Sequence, residues 1–175
     1  MTATQIACLI VVAIAAAIDM RTMKIPNLLT FPAAALGILM SYLSHGARGA
    51  IWAAAGWLVG AAVVSATKLC LRQVGYGDVK LIAAVGAFLG PALVLLTYFY
   101  FCLCFGVYAF ARVAVCVPWQ AIVIGLLAGR VGPLPLEKLA TTLKAPVPLG
   151  PAIAAGTLLA ILLERQTMQF LGFVK

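Results

Sequence analysis

The sequence predicts an all-α polytopic membrane protein of about six transmembrane helices, with its N-terminus outside. Three observations carry this. Hydrophobic residues make up 65% of the 175 residues and charged residues only 9%, against about half and about a quarter in soluble domains. The apolar residues gather into runs separated by Pro, Gly and single charges. The net charge of +8 comes from basic residues scattered singly between those runs, most of them on one predicted side of the membrane. A chain of this length has room for one bundle, so residues 1–175 are read as a single membrane-embedded domain.

The first apolar run, residues 3–18, is a retained span rather than a signal peptide. Met1–Gln5 carries no Lys or Arg, and the positives Arg21 and Lys24 follow the run, which puts the N-terminus outside and residues 19–27 in the cytoplasm. Ile25-Pro26-Asn27 marks the next helix start, where proline's missing N–H costs nothing. A second span at 28–43 ends in a turn at 44–49. The third, 50–67, carries Gly56-x-x-x-Gly60, small residues that let helix backbones pack closely within the chain. A polar connection, 68–77, leads to a short fourth span from Asp78 to Leu89, closed by Gly90-Pro91. Crossing hydrocarbon takes about twenty residues, so this span begins in a water-reachable recess or a locally thin site. The fifth span covers 92–111, and the last runs from Leu149-Gly150-Pro151 to just before Glu164.

Between them, 112–148 reads as a cytoplasmic or interfacial segment, broken by Pro118-Trp119-Gln120 and by Pro133, Pro135, Pro146 and Pro148. A seventh span through 113–129 is the alternative. Charge bias decides against it: six spans leave only Arg48, Arg165 and Lys175 outside, and a seventh would move Arg130, Lys138 and Lys144 there.

The same distribution argues against nucleic acid, because no basic cluster or aromatic-studded basic face is present. The scattered positives suit membrane lipids instead. Cys8, Cys70, Cys102, Cys104 and Cys116 form no C-x-x-C pair, which suits free thiols packed as small hydrophobes rather than a metal site or a disulfide framework. His45, the sole histidine, reads as a solvated loop residue. No metal and no cofactor are expected.

Function rests on the acids. There are four, Asp19, Asp78, Glu137 and Glu164, and the first two stand at the edges of apolar runs, where an ionisable group is costly and points to function. Between them the chain crosses outward once and returns once, so both lie on one membrane face. Two carboxyls in contact share one proton and titrate as a unit. Such a dyad draws a proton from water while giving one to a peptide carbonyl, as in aspartic proteolysis. Gly75 and Gly77, flanking Tyr76, let backbone turn and approach an extended substrate. Lys80 has three readings: tuning the dyad, meeting the substrate, or snorkelling to head groups. The bland alternatives are that Asp78 caps a helix and that Asp19 pairs with Arg21 or Lys24. Either suits one acid alone; two acids on one face, one preceded by Gly-x-Gly, favour the dyad.

Asp19-Met-Arg21 running to Ile25-Pro26-Asn27, then Gly75-Tyr-Gly77-Asp78-Val-Lys80-Leu with Gly86 and Leu89-Gly90, resembles the type IV prepilin peptidases. Pro148-Leu-Gly150-Pro151 is similar to their C-terminal signature. The resemblance implies an aspartic endopeptidase of the bacterial inner membrane. It would remove the basic leader of prepilins and pseudopilins at the cytoplasmic face, with Asp19 and Asp78 as the catalytic pair. Bifunctional members carry an N-terminal methyltransferase domain with paired C-x-x-C motifs, which this sequence lacks. It looks like the short peptidase-only form of tight-adherence (Flp) pilus systems, for which no N-methylation is expected. Two rival classes remain open at this point: a small proton-coupled transporter, and a non-catalytic subunit of a secretion or pilus assembly.

Overall fold

The computed structural model describes residues 2–70, 75–116 and 149–170, and these are helical throughout apart from short links. Most of the expected interfacial segment at 112–148 therefore lies outside the described residues. The elements are α1 (Ala3–Thr22), α2 (Asn27–Cys70), α3 (Tyr76–Cys116), α4 (Gly150–Leu162) and α5 (Glu164–Phe170). Helices α1, α2 and α3 are each long and apolar enough to cross a membrane, and α4 is a shorter apolar helix. The chain divides into two compact units, Met1–Cys104 with Pro148–Lys175, and Phe105–Val147. Within the second unit Arg112 donates to the Tyr108 hydroxyl at 3.0 Å, one helical turn away. The rest of the fold described below belongs to the first unit.

Helix α1 starts with a capping box: Thr2 Oγ1 accepts from the Gln5 N–H and the Thr2 N–H donates to Gln5 Oε1, so two amides the helix cannot satisfy find partners. It ends at Met23 in the left-handed conformation, whose N–H donates to the Asp19 carbonyl at 2.8 Å. Cys8, Val12, Ala15, Ala16 and Asp19 recur every three or four residues and form its buried face,. That face packs on α4. The two run antiparallel, since Gly150 lies against Ala16 and Asp19 while Gln5 donates to Glu164 at 3.1 Å.

Helices α2 and α3 each fold back on themselves at a glycine. Gly46 leaves the helical conformation with φ 63° and ψ −151°. A Cβ on Gly37 would touch Phe88 N at 3.0 Å, and one on Gly56 would touch Gly90 Cα at 2.8 Å. In a straight helix those two glycines would stand about 28 Å apart, so the arms of α2 must lie side by side. Likewise Gly90 has φ 80° and ψ 176°, and Gly60 sits against both Ile82 and Val94, which a straight helix would separate by about 18 Å. Pro91 follows Gly90 at the start of the new arm, where proline is tolerated. His45 and the 44–49 stretch, expected as an outer loop, are thus helical backbone bent at Gly46 rather than an open turn.

The first arm of α3 is the centre of the bundle. Every residue from Leu81 to Gly90 is buried. The room for this comes from small residues: Gly56 and Gly86 meet backbone to backbone, each lying where the other's Cβ would fall. Gly56-x-x-x-Gly60 is an intramolecular packing surface, as its spacing predicts. Cys8 is buried, whereas Cys102 is exposed and Cys104 half-buried, so the expectation of packed thiols fails at Cys102.

A methyl group at Gly56 would collide with Gly86 backbone, which cannot swing aside, while one at Gly106 would meet nothing within 4 Å. Gly56→Ala is therefore expected to destabilise the protein by about 1–3 kcal/mol. Gly106→Ala should leave it within about 0.5 kcal/mol. Thermal unfolding of both variants in detergent checks the contrast.

Candidate active site

The starts of α2, α3 and α4 and the end of α1 converge at the end of the bundle opposite the two glycine bends. Asp19 stands in the last turn of α1 and Asp78 in the first turn of α3, and both are buried, at 5% and 8% exposure. They lie within electrostatic reach of each other.

Each carboxyl is tied down through one oxygen. Asp78 Oδ2 accepts from the Gly75 N–H at 3.0 Å. Asp19 Oδ2 accepts from the Gly150 N–H at 2.8 Å, in a buried hydrogen bond across 131 residues of sequence. The two donors have the same physical origin. Gly75 immediately precedes α3 and Gly150 opens α4, and the amides at a helix start have no partner within the helix. Such amides favour a carboxylate. The other oxygen of each acid, Oδ1, takes part in neither of these two bonds.

Asp78 caps α3, because its Oδ2 reaches back to the amide just before the helix in one half of a capping box,. Arg21 and Lys24 are exposed, and among the described residues neither forms an ion pair with Asp19.

The glycines around Tyr76 act by close approach rather than by unusual torsion, since neither Gly75 nor Gly77 has a positive φ. A Cβ on Gly75 would stand 3.0 Å from Asp78 Oδ2, and one on Gly77 would stand 3.1 Å from Ile25 Cβ. Gly77 thereby brings α3 against the link between α1 and α2. Tyr76 is 74% exposed, and its ring lies beneath the Lys68 ammonium. Lys80 turns to α2, donating to Asn27 Oδ1 at 2.8 Å with its Nζ 5.3 Å from the centre of the Phe31 ring.

Three contributors went unread in the sequence: the Gly150 amide, Asn27 as the partner of Lys80, and Lys68. Lys68 enters the site through Tyr76, over whose ring its ammonium lies. The Gly150-Pro151 helix start was a usable signal for a free amide. Nothing local signals that Asp19 takes it. Among the described residues no three His, Cys, Asp or Glu side chains gather to hold a metal ion.

The profile of the type IV leader peptidase family matches residues 6–110, a stretch that contains both acids and the whole Gly75–Lys80 segment. The chain belongs to the type IV leader peptidase family. It is 33% identical over 168 residues to the "Prepilin leader peptidase/N-methyltransferase" of Bacillus subtilis (strain 168), an alignment covering 94% of this chain and 56% of that protein. The chain thus spans about half the length of the curated relative it matches. No solved structure gives a significant match. With its apolar spanning helices, this member of the type IV leader peptidase family is an integral membrane protein. Gly150, which holds Asp19, falls beyond the 6–110 match.

The juxtaposition of Asp19 and Gly150 is directly testable. A Cβ at position 150 would stand 2.9 Å from Asp19 Cβ, and disulfides need about 3.5–4.5 Å, a separation reached by a small shift of α4. In a background with the native cysteines replaced by alanine, the pair Asp19→Cys and Gly150→Cys is expected to form a disulfide on mild oxidation. Non-reducing peptide mapping reads the outcome, with Asp19→Cys alone as control.

Proposed function

We propose that this chain is an aspartic endopeptidase that removes the leader peptide of type IV prepilins or pseudopilins. Its working groups would be Asp19 and Asp78. The observation that carries the reading is their arrangement: two buried acids from different helices, within electrostatic reach, each with Oδ2 fixed by a glycine amide. Family membership and the name borne by the Bacillus subtilis relative supply the substrate class.

The chemistry follows from the other oxygen of each acid. A water between the two Oδ1 atoms loses a proton to the acid that starts ionised. Its oxygen bonds to the scissile carbonyl carbon as the other acid protonates the carbonyl oxygen. The resulting tetrahedral diol then collapses: the now ionised acid takes a proton from one diol hydroxyl, the C–N bond breaks, and the other acid gives its proton to the leaving nitrogen, which returns the dyad to one shared proton. Fixing Oδ2 on both sides holds the reactive oxygens in place before substrate arrives, which is where such catalysis gains its rate.

The remaining parts of the proposal concern setting. Each arm of α2 and α3 would cross the membrane once, giving six crossings with α1 and α4 and an external N-terminus. The bends at Gly46 and Gly90 support that count. The bundle would then lie in the bacterial inner membrane as a single domain, with the acids at the cytoplasmic face. Gly75, Tyr76, Gly77 and Lys80 would shape the groove that receives the cleaved strand. Flp-type prepilins are the substrates to try first, and methyl transfer can be measured in the same assay.

Asp19→Asn and Asp78→Asn, which keep the size of the side chain, are each expected to lower cleavage of a co-purified Flp-type prepilin by at least about a hundredfold. The inserted protein should stay intact. Mass spectrometry of the product gives both rate and cleavage position. Undiminished cleavage by both variants would remove the dyad from the mechanism, whereas proton flux without cleavage would favour a carrier. Because the dyad works with a single proton, the rate should pass through a maximum in pH and fall on both sides.

A further inference from the structure

At the end of the bundle away from the acids, the two bends leave a cavity of about 450 Å³. Its polar wall comes from separate stretches of chain: Thr4 from the start of α1, Ser41 and His45 from before the Gly46 bend, and Arg48 and Trp52 from after it. Its apolar wall is Ala53 with Phe88 and Leu89 beside the Gly90 bend. Every side chain on the polar wall can donate a hydrogen bond, and none of the residues lining the cavity is acidic. Arg48 is the one permanently charged group there, since guanidinium does not deprotonate in proteins. Glu164, which lies near this end, turns to Gln5 instead.

A basic residue at a span end has a simpler explanation in snorkelling, which requires nothing but open water. That does not explain why the Arg shares a recess with donors from two other stretches of chain. Nor does it explain a recess built by the chain reversals themselves. Gly90 must be glycine, both for its φ of 80° and because a Cβ would strike Trp52 Nε1 at 2.6 Å.

We propose that this cavity binds a phosphate-bearing group carrying one negative charge, of the kind found in a phospholipid head group. The charge matches a single guanidinium, which clamps phosphate oxygens in pairs. The volume falls in the range of ligand sites, about 300–1,000 Å³, large enough for a glycerophosphate whose acyl stems leave along the apolar wall. A free phosphate ion offers the same chemistry and fills less of it. This inference does not depend on the proposed proteolysis.

The test uses full-length protein delipidated in detergent, with native mass spectrometry of added phosphatidylglycerol, diacylglycerol or inorganic phosphate. Arg48→Ala removes the charge, and Ser41→Trp fills the recess without touching it. Thermal unfolding without lipid verifies that both variants are folded. Phosphatidylglycerol should bind the wild type and bind each variant about tenfold more weakly. If inorganic phosphate competes for the wild-type site, the phosphate chemistry stands and the free ion becomes a source. Equal phosphatidylglycerol binding by wild type and both variants overturns the proposal. So does diacylglycerol binding as well as the phospholipid, or no binding by the wild type at all.

Discussion

The contact on which this structure depends is the backbone-to-backbone approach of Gly56 and Gly86. In a membrane, helices gain nothing from leaving lipid for apolar protein, so association rests on packing and on hydrogen bonds that only close approach allows. The central arm of α3 is short, and all of its residues from Leu81 to Gly90 are buried. A helix in that position needs no lipid-facing surface and need not span the full hydrocarbon thickness. It does need neighbours thin enough to surround it, and Gly37, Gly56 and Gly60 on α2 meet that condition.

The position of the acids follows from this packing. Asp78 begins the enclosed arm, so it enters the bundle at the depth where α1 ends and α4 starts. Burying a carboxyl there without hydrogen bonds would be costly, and the fold supplies them from amides that two helix starts leave unpaired. Asp19 and Asp78 are thereby held in the same way by unrelated segments, with Gly150 serving one and Gly75 the other. A carboxyl held in this way is satisfied as a buried acid and fixed in orientation.

The two ends of the bundle have contrasting chemistry for the same topological reason. Links and helix starts gather at the acid end, bringing unpaired amides and the side chains of Lys68, Asn27 and Lys80. The opposite end holds the start of α1 and the junction of α4 with α5 beside helical chain bent at Gly46 and Gly90, and there the bends border a recess lined by side chains. Of the basic residues lining these ends, Lys80 and Lys68 have specific partners in Asn27 and Tyr76, whereas Arg48 faces the cavity.

Much of this protein is determined by local features of its sequence. Composition points to a membrane protein, because so few charges cannot clothe a soluble surface, and the length of the apolar runs points to helices. Glycine and proline spacing places the helix starts near Asn27 and Gly150 and the packing motif at Gly56 and Gly60, since torsion and close approach depend on the residue itself, whereas the helix read as beginning at Asp78 begins two residues earlier, at Tyr76. Scarcity of acids singles out Asp19 and Asp78, and the parity of crossings between them suggests a common face. What the sequence left open depended on residues far apart in the chain: that Asp19 is held by an amide 131 positions away, that Lys80 turns to Asn27, and that a histidine read as loop borders a cavity at a helix bend. A hydrogen bond between distant segments leaves no periodicity behind it. Such pairings are decided by which helices pack together, and only the tertiary structure selects those.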